Sequence, residues 1–132
     1  MPLVLHIKPG ERIFIGKGSI TNRSEFRTFL EFEGDFPPFL HEKEVLREAD
    51  ADSACKRLYL TIQTMYLRED TGHLHETYLA QQRDIEQAAP STAPYLKKIS
   101  DEIQAGRFHK AIKEARRLIE YEAKSLLRAT VG

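Results

Sequence analysis

The spacing of apolar residues changes once along this 132-residue chain, from every second residue to every third or fourth, and that change near Asp50 limits what it can fold into. Before it, Leu3, Leu5 and Ile7 fall on one side of an extended segment, with Val4, His6 and Lys8 on the other. Lys8-Pro9-Gly10-Glu11 has the make-up of a type II turn, Pro9 presetting φ at the second position and Gly10 supplying a positive φ at the third. Arg12-Ile13-Phe14-Ile15 reads as the returning strand, and Gly16-Lys17-Gly18 and Thr21-Asn22-Arg23-Ser24 as further turns. Phe26, Thr28, Leu30 and Phe32 alternate through the longest strand. Phe36-Pro37-Pro38-Phe39 lacks two ladder donors and is expected to be a loop, with a short edge strand near Leu40-His41.

After Asp50 the period is helical. Asp52 or Ser53 is suited to cap a helix carrying Cys55, Leu58, Tyr59, Ile62, Met65 and Tyr66 on one stripe. Gly72 marks a break, and Leu74, Tyr78, Gln81 and Ile85 suggest a weaker helix ending before Pro90. Ser91 is expected to cap a third helix, with Tyr95, Leu96, Ile99 and Ile103 inward and Gly106 at its stop. A last helix runs from about Arg107 to Leu127. The expected fold is α+β: a small antiparallel β meander or barrel-like domain over residues 1–48, then about four helices over 49–132.

Composition narrows the class. Lys plus Arg equals Asp plus Glu at 20 each, so no whole-molecule field favours nucleic acid. The charges are unevenly placed: residues 1–30 carry net +3, 31–54 net −6, 55–89 net −1 and 90–132 net +4. Two binding faces or internal charge balancing would each produce that pattern. The opening Met1-Pro2-Leu3-Val4-Leu5-His6 has neither a basic run nor a long apolar run, and no apolar stretch approaches bilayer length. With a single cysteine, Cys55, these features lead to the expectation of a cytoplasmic protein without membrane association.

Few residues are grouped for chemistry. His73 and His75 diverge by about 160° on a helix, and no third ligand stands at a metal-site spacing. Cys55 lies on an apolar stripe, where a buried thiol is a small hydrophobe. Gly16-Lys17-Gly18-Ser19 lacks phosphate-loop spacing and precedes a strand instead of a helix. No set of nucleophile, base and oxyanion donors can be assembled, so neither catalysis nor a cofactor nor a metal is expected.

The last helix is more informative. Phe108, Ala111, Ile112, Ala115, Leu118, Ile119 and Leu126 share an arc that must be buried. Lys110, Lys113, Arg117, Lys124 and Arg128 share the opposite stripe with Tyr121, an arrangement that can follow phosphates while the ring stacks on a base. A solvated face with cations near the helix C-terminus gives the same pattern. Glu122 falls inside the apolar arc, where it must be paired, sit at a rim or meet a partner. A second cationic set, Lys8, Arg12, Lys17, Arg23 and Arg27, lies on the strands and turns. It suits either RNA phosphates or protection of strand edges from aggregation.

Three segments together resemble the FlbT family of bacterial flagellar regulators: Met1 to Glu11, Ala54 to Leu67, and Phe108-His109-Lys110-Ala111 followed by Ala115 to Glu122. They stand in the family's order and cover most of the chain, while Gly34 to Glu48, with its Phe36–Phe39 loop, matches least. The resemblance implies a post-transcriptional regulator that binds the 5′ untranslated leader of flagellin mRNA and represses its translation and stability as the flagellum is assembled. It also implies flagellin and a FlaF-type protein as partners, and it supplies no residue-resolved site. The rival expectation is a non-catalytic adaptor that binds flagellin or the FlaF-type protein and affects mRNA indirectly. Leu3-Val4-Leu5, Lys8-Pro9-Gly10-Glu11, Ile15-Gly16 and His41-Glu42-Lys43-Glu44 are similar to strands of the carbon storage regulator family, which implies RNA binding at the N-terminal end.

Overall fold

The computed structural model describes residues 3–35, 37–69 and 71–131, with side chains at all of these except 71 and 126–131. Phe36 and the side chains of Leu126 and Arg128 therefore lie outside the described residues. The architecture is α+β: five short strands, then four helices. The chain divides into two compact units, Met1–Val45 with Leu67–Glu69, and Leu46–Tyr66 with Asp70–Gly132.

In the first unit β1 (Leu3–Ile7) pairs antiparallel with β4 (Thr28–Phe32), Leu5 opposite Leu30. A second antiparallel sheet has the order β3 (Gly18–Thr21), β2 (Arg12–Ile15), β5 (Phe39–His41). The Pro9-Gly10 turn forms, with the Glu11 N–H donating to the Lys8 carbonyl at 3.0 Å and Gly10 at φ 78°. It does not close a hairpin, because the strands it joins belong to different sheets. The expected run of consecutive hairpins is thus replaced by two small sheets. The reason is burial: side by side in one sheet, the two apolar rows would share one uncovered face, whereas in separate sheets each can cover the other. Leu5 and Ile7 of β1 and Ile13 of β2 form one core cluster, with Leu3, Ile15 and Phe39 at its margin.

The hairpin that does form joins β2 to β3 through Gly16-Lys17, closed by the Ile15–Gly18 pair. Positive φ is confined to Gly16 at 55°, the type II′ pattern that matches strand twist. Asn22, read as a turn residue, is instead a buried junction. Its Nδ2 donates to the carbonyls of Ile7 at 2.8 Å and Phe26 at 2.9 Å, while its Oδ1 accepts from the Ser24 N–H and hydroxyl. Phe26 precedes β4 and lies outside the ladder.

The helices are α1 (Ala54–Arg68), α2 (Thr71–Ala88), α3 (Ala93–Gln104) and α4 (Phe108–Val131). Cys55, Leu58, Tyr59, Ile62 and Met65 are buried, as the stripe on α1 requires. The chain breaks at Glu69, whose φ is 51°, and Gly72 falls within the first turn of α2 instead of marking the break. Pro90–Thr92 form a 3₁₀ turn, so α3 begins at Ala93 and Ser91 does not cap it. At the other end of α3, Gly106 at φ 77° lets its N–H reach the Ile103 carbonyl and the Arg107 N–H the Glu102 carbonyl, a Schellman stop. The short connection makes α3 and α4 neighbours, burying Leu96 and Ile99 with Ala111, Ile112, Ala115 and Leu118.

Candidate nucleic-acid interface

Helix periodicity places Arg117, Tyr121 and Lys124 of α4 on one side, since positions three and four apart are neighbours. Tyr95 and Lys98, three apart on α3, meet them. The Tyr95 and Tyr121 rings lie with centroids 4.9 Å apart at 31°. Two adjoining depressions of about 310 and 360 Å³ surround this pair; Arg117, Glu120 and Lys124 line one, Pro94, Lys98, Glu114 and Arg117 the other. The Tyr121 hydroxyl donates to Ser91 Oγ at 2.6 Å, which gives Ser91 a role other than capping. The ring is thereby held in place while its surroundings stay cationic. Arg117 also pairs with Glu114 at 3.0 Å, and Glu120 borders the stripe, so the field is positive but diluted.

Lys110 and Lys113 are exposed and extend the same stripe toward the start of α4, Lys110 standing near Glu102. From Lys110 to Lys124 the stripe spans about 21 Å, at about 1.5 Å per residue. Tyr95 and Lys98 were missed by periodicity alone, because Tyr95 counts as one of the apolar residues of α3. The available signal was the Tyr95–Lys98 spacing of three, which parallels Tyr121–Lys124.

The N-terminal cations do not form one site. Lys17 sits at the tip of the β2–β3 hairpin, at one end of β2. Arg12 donates to Thr21 Oγ1 at 3.3 Å and lies 3.7 Å from the Glu42 carboxylate, which engages much of its charge. Lys8, Arg23 and Arg27 do lie at one end, because Asn22 binds Ile7, Gly10 and Phe26 together there.

Glu122 has a partner within its own unit. Its Oε1 accepts from the Ser53 hydroxyl at 2.5 Å and its Oε2 from the Cys55 N–H at 3.2 Å. Ser53 Oγ accepts in turn from the Lys56 N–H at 3.2 Å, so α1 is capped by its own serine and by a carboxylate from α4. Burial and then the neighbouring Glu122 carboxylate push the Cys55 thiol up to about 12, away from nucleophile chemistry. A mostly apolar cavity of about 610 Å³ adjoins these groups, lined by Ala54, Ile85, Ala88, Thr92 and Tyr121 among others. Among the described residues, no cluster of His, Cys, Asp and Glu could hold a metal, and no helix is long and apolar enough to cross a membrane.

The paired helices α3 and α4 thus carry an aromatic and cationic cleft. The profile of the family described as "Flagellar protein FlbT" matches residues 3–126, and the chain belongs to that family, one of regulators and not of enzymes. It is 39% identical over 128 residues to the "Probable flagellum biosynthesis repressor protein FlbT" of Rhodopseudomonas palustris (strain TIE-1), covering 97% of this chain and 100% of that protein. Identity is also 39%, over 124 residues, with the "Probable flagellum biosynthesis repressor protein FlbT 1" of Bradyrhizobium diazoefficiens, covering 94% of this chain and 84% of that protein. The "Flagellum biosynthesis repressor protein FlbT" of Caulobacter vibrioides (strain ATCC 19089) is 26% identical over 135 residues, covering 100% of this chain and 94% of that protein. No solved structure matches the chain.

Proposed function

We propose that this chain is a cytoplasmic regulator of flagellar synthesis that binds the 5′ untranslated leader of flagellin mRNA through the α3–α4 cleft and represses its translation and stability. The regulatory role in flagellar synthesis accords with the names of its relatives. The observation that supports RNA is the Tyr95–Tyr121 pair flanked by Lys98, Arg117 and Lys124. Single strands are held by rings that stack on bases and by cations that follow the phosphates, and both are present in this cleft. Few neighbouring side chains suit base edges, so phosphates and stacking carry the affinity.

Titration of fluorescent flagellin leader RNA by anisotropy at several salt concentrations tests this. Replacing Lys98, Arg117 and Lys124 together by Gln should weaken binding and flatten the slope of log K against log salt by about 2, each lost phosphate contact contributing about 0.7. Tyr121→Ala should cost about 1–3 kcal/mol with little change of slope. Tyr121→Phe, which loses only the bond to Ser91, should retain most of the affinity. The adaptor reading, with flagellin or a FlaF-type protein as partner, expects the RNA results to be indifferent to all of these. Salt-insensitive or absent RNA binding by the wild-type chain would remove the RNA reading.

A further inference from the structure

β4 is paired on one edge only. Its ladder to β1 uses one side of Thr28–Phe32, and among the described residues no strand lies along the other. Its apolar side chains are also exposed in part on both faces: Phe29 is 59% exposed on the face it shares with the His6 ring, and Leu30 is 38% exposed on the face that continues the Leu5 row, with Phe32 at 42% beside it. A two-stranded ribbon is marginal by itself, and an apolar strand with an open edge is a template for another strand. From the self-complementary order of charges along this edge, we infer that β4 pairs antiparallel with β4 of a second copy of the chain, about a two-fold axis at Leu30.

In that register Leu30 faces its own equivalent, Thr28 faces Phe32, Phe29 faces Glu31, and Arg27 faces Glu33. Arg27 and Glu33 form no ion pair among the described residues, so both are available to meet across the axis. Gly34, at φ 102°, turns the chain away immediately after Glu33, which ends the ladder at the charged pair. Every residue of the strand is then used, and the two-stranded sheet becomes one of four strands, β1-β4-β4-β1. Centring on Phe29 instead sets Arg27 against Glu31 but Glu33 against Glu25, and places Phe32 opposite Phe26, which precedes the strand. Centring between residues would set the Leu30 row against the Phe29 row, mixing the two faces. A two-fold pairing takes the Arg27–Glu33 contact twice, so charge reversal is doubled in its effect.

Sedimentation equilibrium of the full chain provides the test. The wild type should be a dimer. Arg27→Glu alone and Glu33→Arg alone should each raise the dimer dissociation constant about tenfold, because two attractive pairs become two repulsive ones. Mixing the two single variants in equal amounts should restore association, as should R27E and E33R combined in one chain. Leu30→Asp should be monomeric with an unchanged helical circular dichroism spectrum, since its side chain is not part of the buried core. A wild type that stays monomeric at every concentration reached would overturn the inference. So would a dimer indifferent to Leu30→Asp, or single variants that fail to rescue one another, because either result places the contact on another surface. A monomer whose β4 edge is instead protected from hydrogen exchange only by flagellin would assign the strand to a different occupant and equally overturn it.

Discussion

The two units resolve their sequence anomalies in opposite ways. In the helical unit three polar groups on apolar faces find partners within the unit, whereas Gln81 Oε1 on α2 is buried without a hydrogen bond among the described residues. Glu122 closes on Ser53 and Cys55, and Gln63 grips both backbone groups of Leu46 at 2.9 and 3.0 Å. The Tyr78 hydroxyl lies 2.8 Å from that of Ser100. In the strand unit the anomaly is inverted: Phe26, Phe29, Leu30 and Phe32 are large apolar residues left on the surface. A buried polar group must be satisfied for the chain to fold, so an internal partner is its ordinary explanation. An apolar strand exposed along an open edge is tolerated by the folded chain but is not what a solitary unit needs, so it points outward. Glu122, which sequence required to be paired, at a rim or facing a partner, is paired within its own unit. β4, read on sequence only as an alternating strand, is paired along one edge alone among the described residues.

The largest test of this contrast substitutes leucine in each unit. Leu58 is fully buried on α1, and Leu58→Ala should cost about 2–5 kcal/mol by loss of burial and creation of a cavity. Leu30→Ala should cost the isolated chain about 0.5 kcal/mol or less, as an exposed truncation. Urea denaturation monitored in dilute solution, below any association, measures both. Equal losses would show that β4 is as much a part of the fold as α1.

A smaller effect probes the shared cap. Glu122→Ala removes the acceptor for the Ser53 hydroxyl and the Cys55 N–H, and should destabilise by about 1–3 kcal/mol. Ser53→Ala should cost about 1 kcal/mol, and the double variant less than the sum, because the two act on one helix terminus. Additive losses would mean that the two groups cap independently.

The thiol beside this cap gives a third measure. Cys55 titrates near 9 when free and is pushed up to about 12 in the fold, first by burial and then by Glu122. The unfolded chain therefore loses its proton first as pH rises, so the folded state's advantage is intact below pH 9 and declines above it. By pH 10 wild type should have lost about 1 kcal/mol relative to Cys55→Ala, at roughly 1.4 kcal/mol per pH unit. Parallel stability curves for the two proteins across that range would contradict a buried thiol.

Much of this was legible in local pattern, and the remainder was not local. The Leu3-Leu5-Ile7 alternation, the α1 stripe and the apolar arc of α4 each follow from the period of one element, and the burial agrees with them. The Pro9-Gly10 turn was legible for the same reason. The pairing of β1 with β4 was not, because a turn specifies only where the chain reverses and not which sheet receives each strand. Ser53 and Glu122 are 69 residues apart, so periodicity could show that Glu122 was misplaced but not what would satisfy it. The cleft was half legible: Arg117, Tyr121 and Lys124 share a visible stripe, whereas Tyr95 and Lys98 join it only once α3 lies alongside α4.

The smallest expected effect belongs to the strand unit and to a turn that sequence identified. The Glu11 carboxylate accepts the Lys8 N–H at 3.0 Å across the Pro9-Gly10 turn, and its Oε2 stands 3.4 Å from His41 Nδ1. The Lys8 backbone hydrogen bond is the main cause that holds its carboxyl below the usual range, with the nearby charge of His41 adding to it against the opposing effect of burial. Because the folded pKa is depressed, the unfolded chain takes up the proton first as pH falls. The contribution is therefore complete above the ordinary carboxyl range and disappears as pH drops through the folded value. Glu11→Gln keeps an acceptor but not the charge, so wild type should be the more stable at neutral pH by less than about 1 kcal/mol. The difference should close in acid, once the pH has fallen through the depressed folded value and both side chains are neutral. Denaturation of the pair at neutral pH and in acid tests this, with the exchange rate of the Lys8 amide as a local readout. A difference that persists in acid would mean that the shape of the glutamate, and not its charge, secures the turn; the break between β1 and β2 would then rest on Pro9 and Gly10 alone.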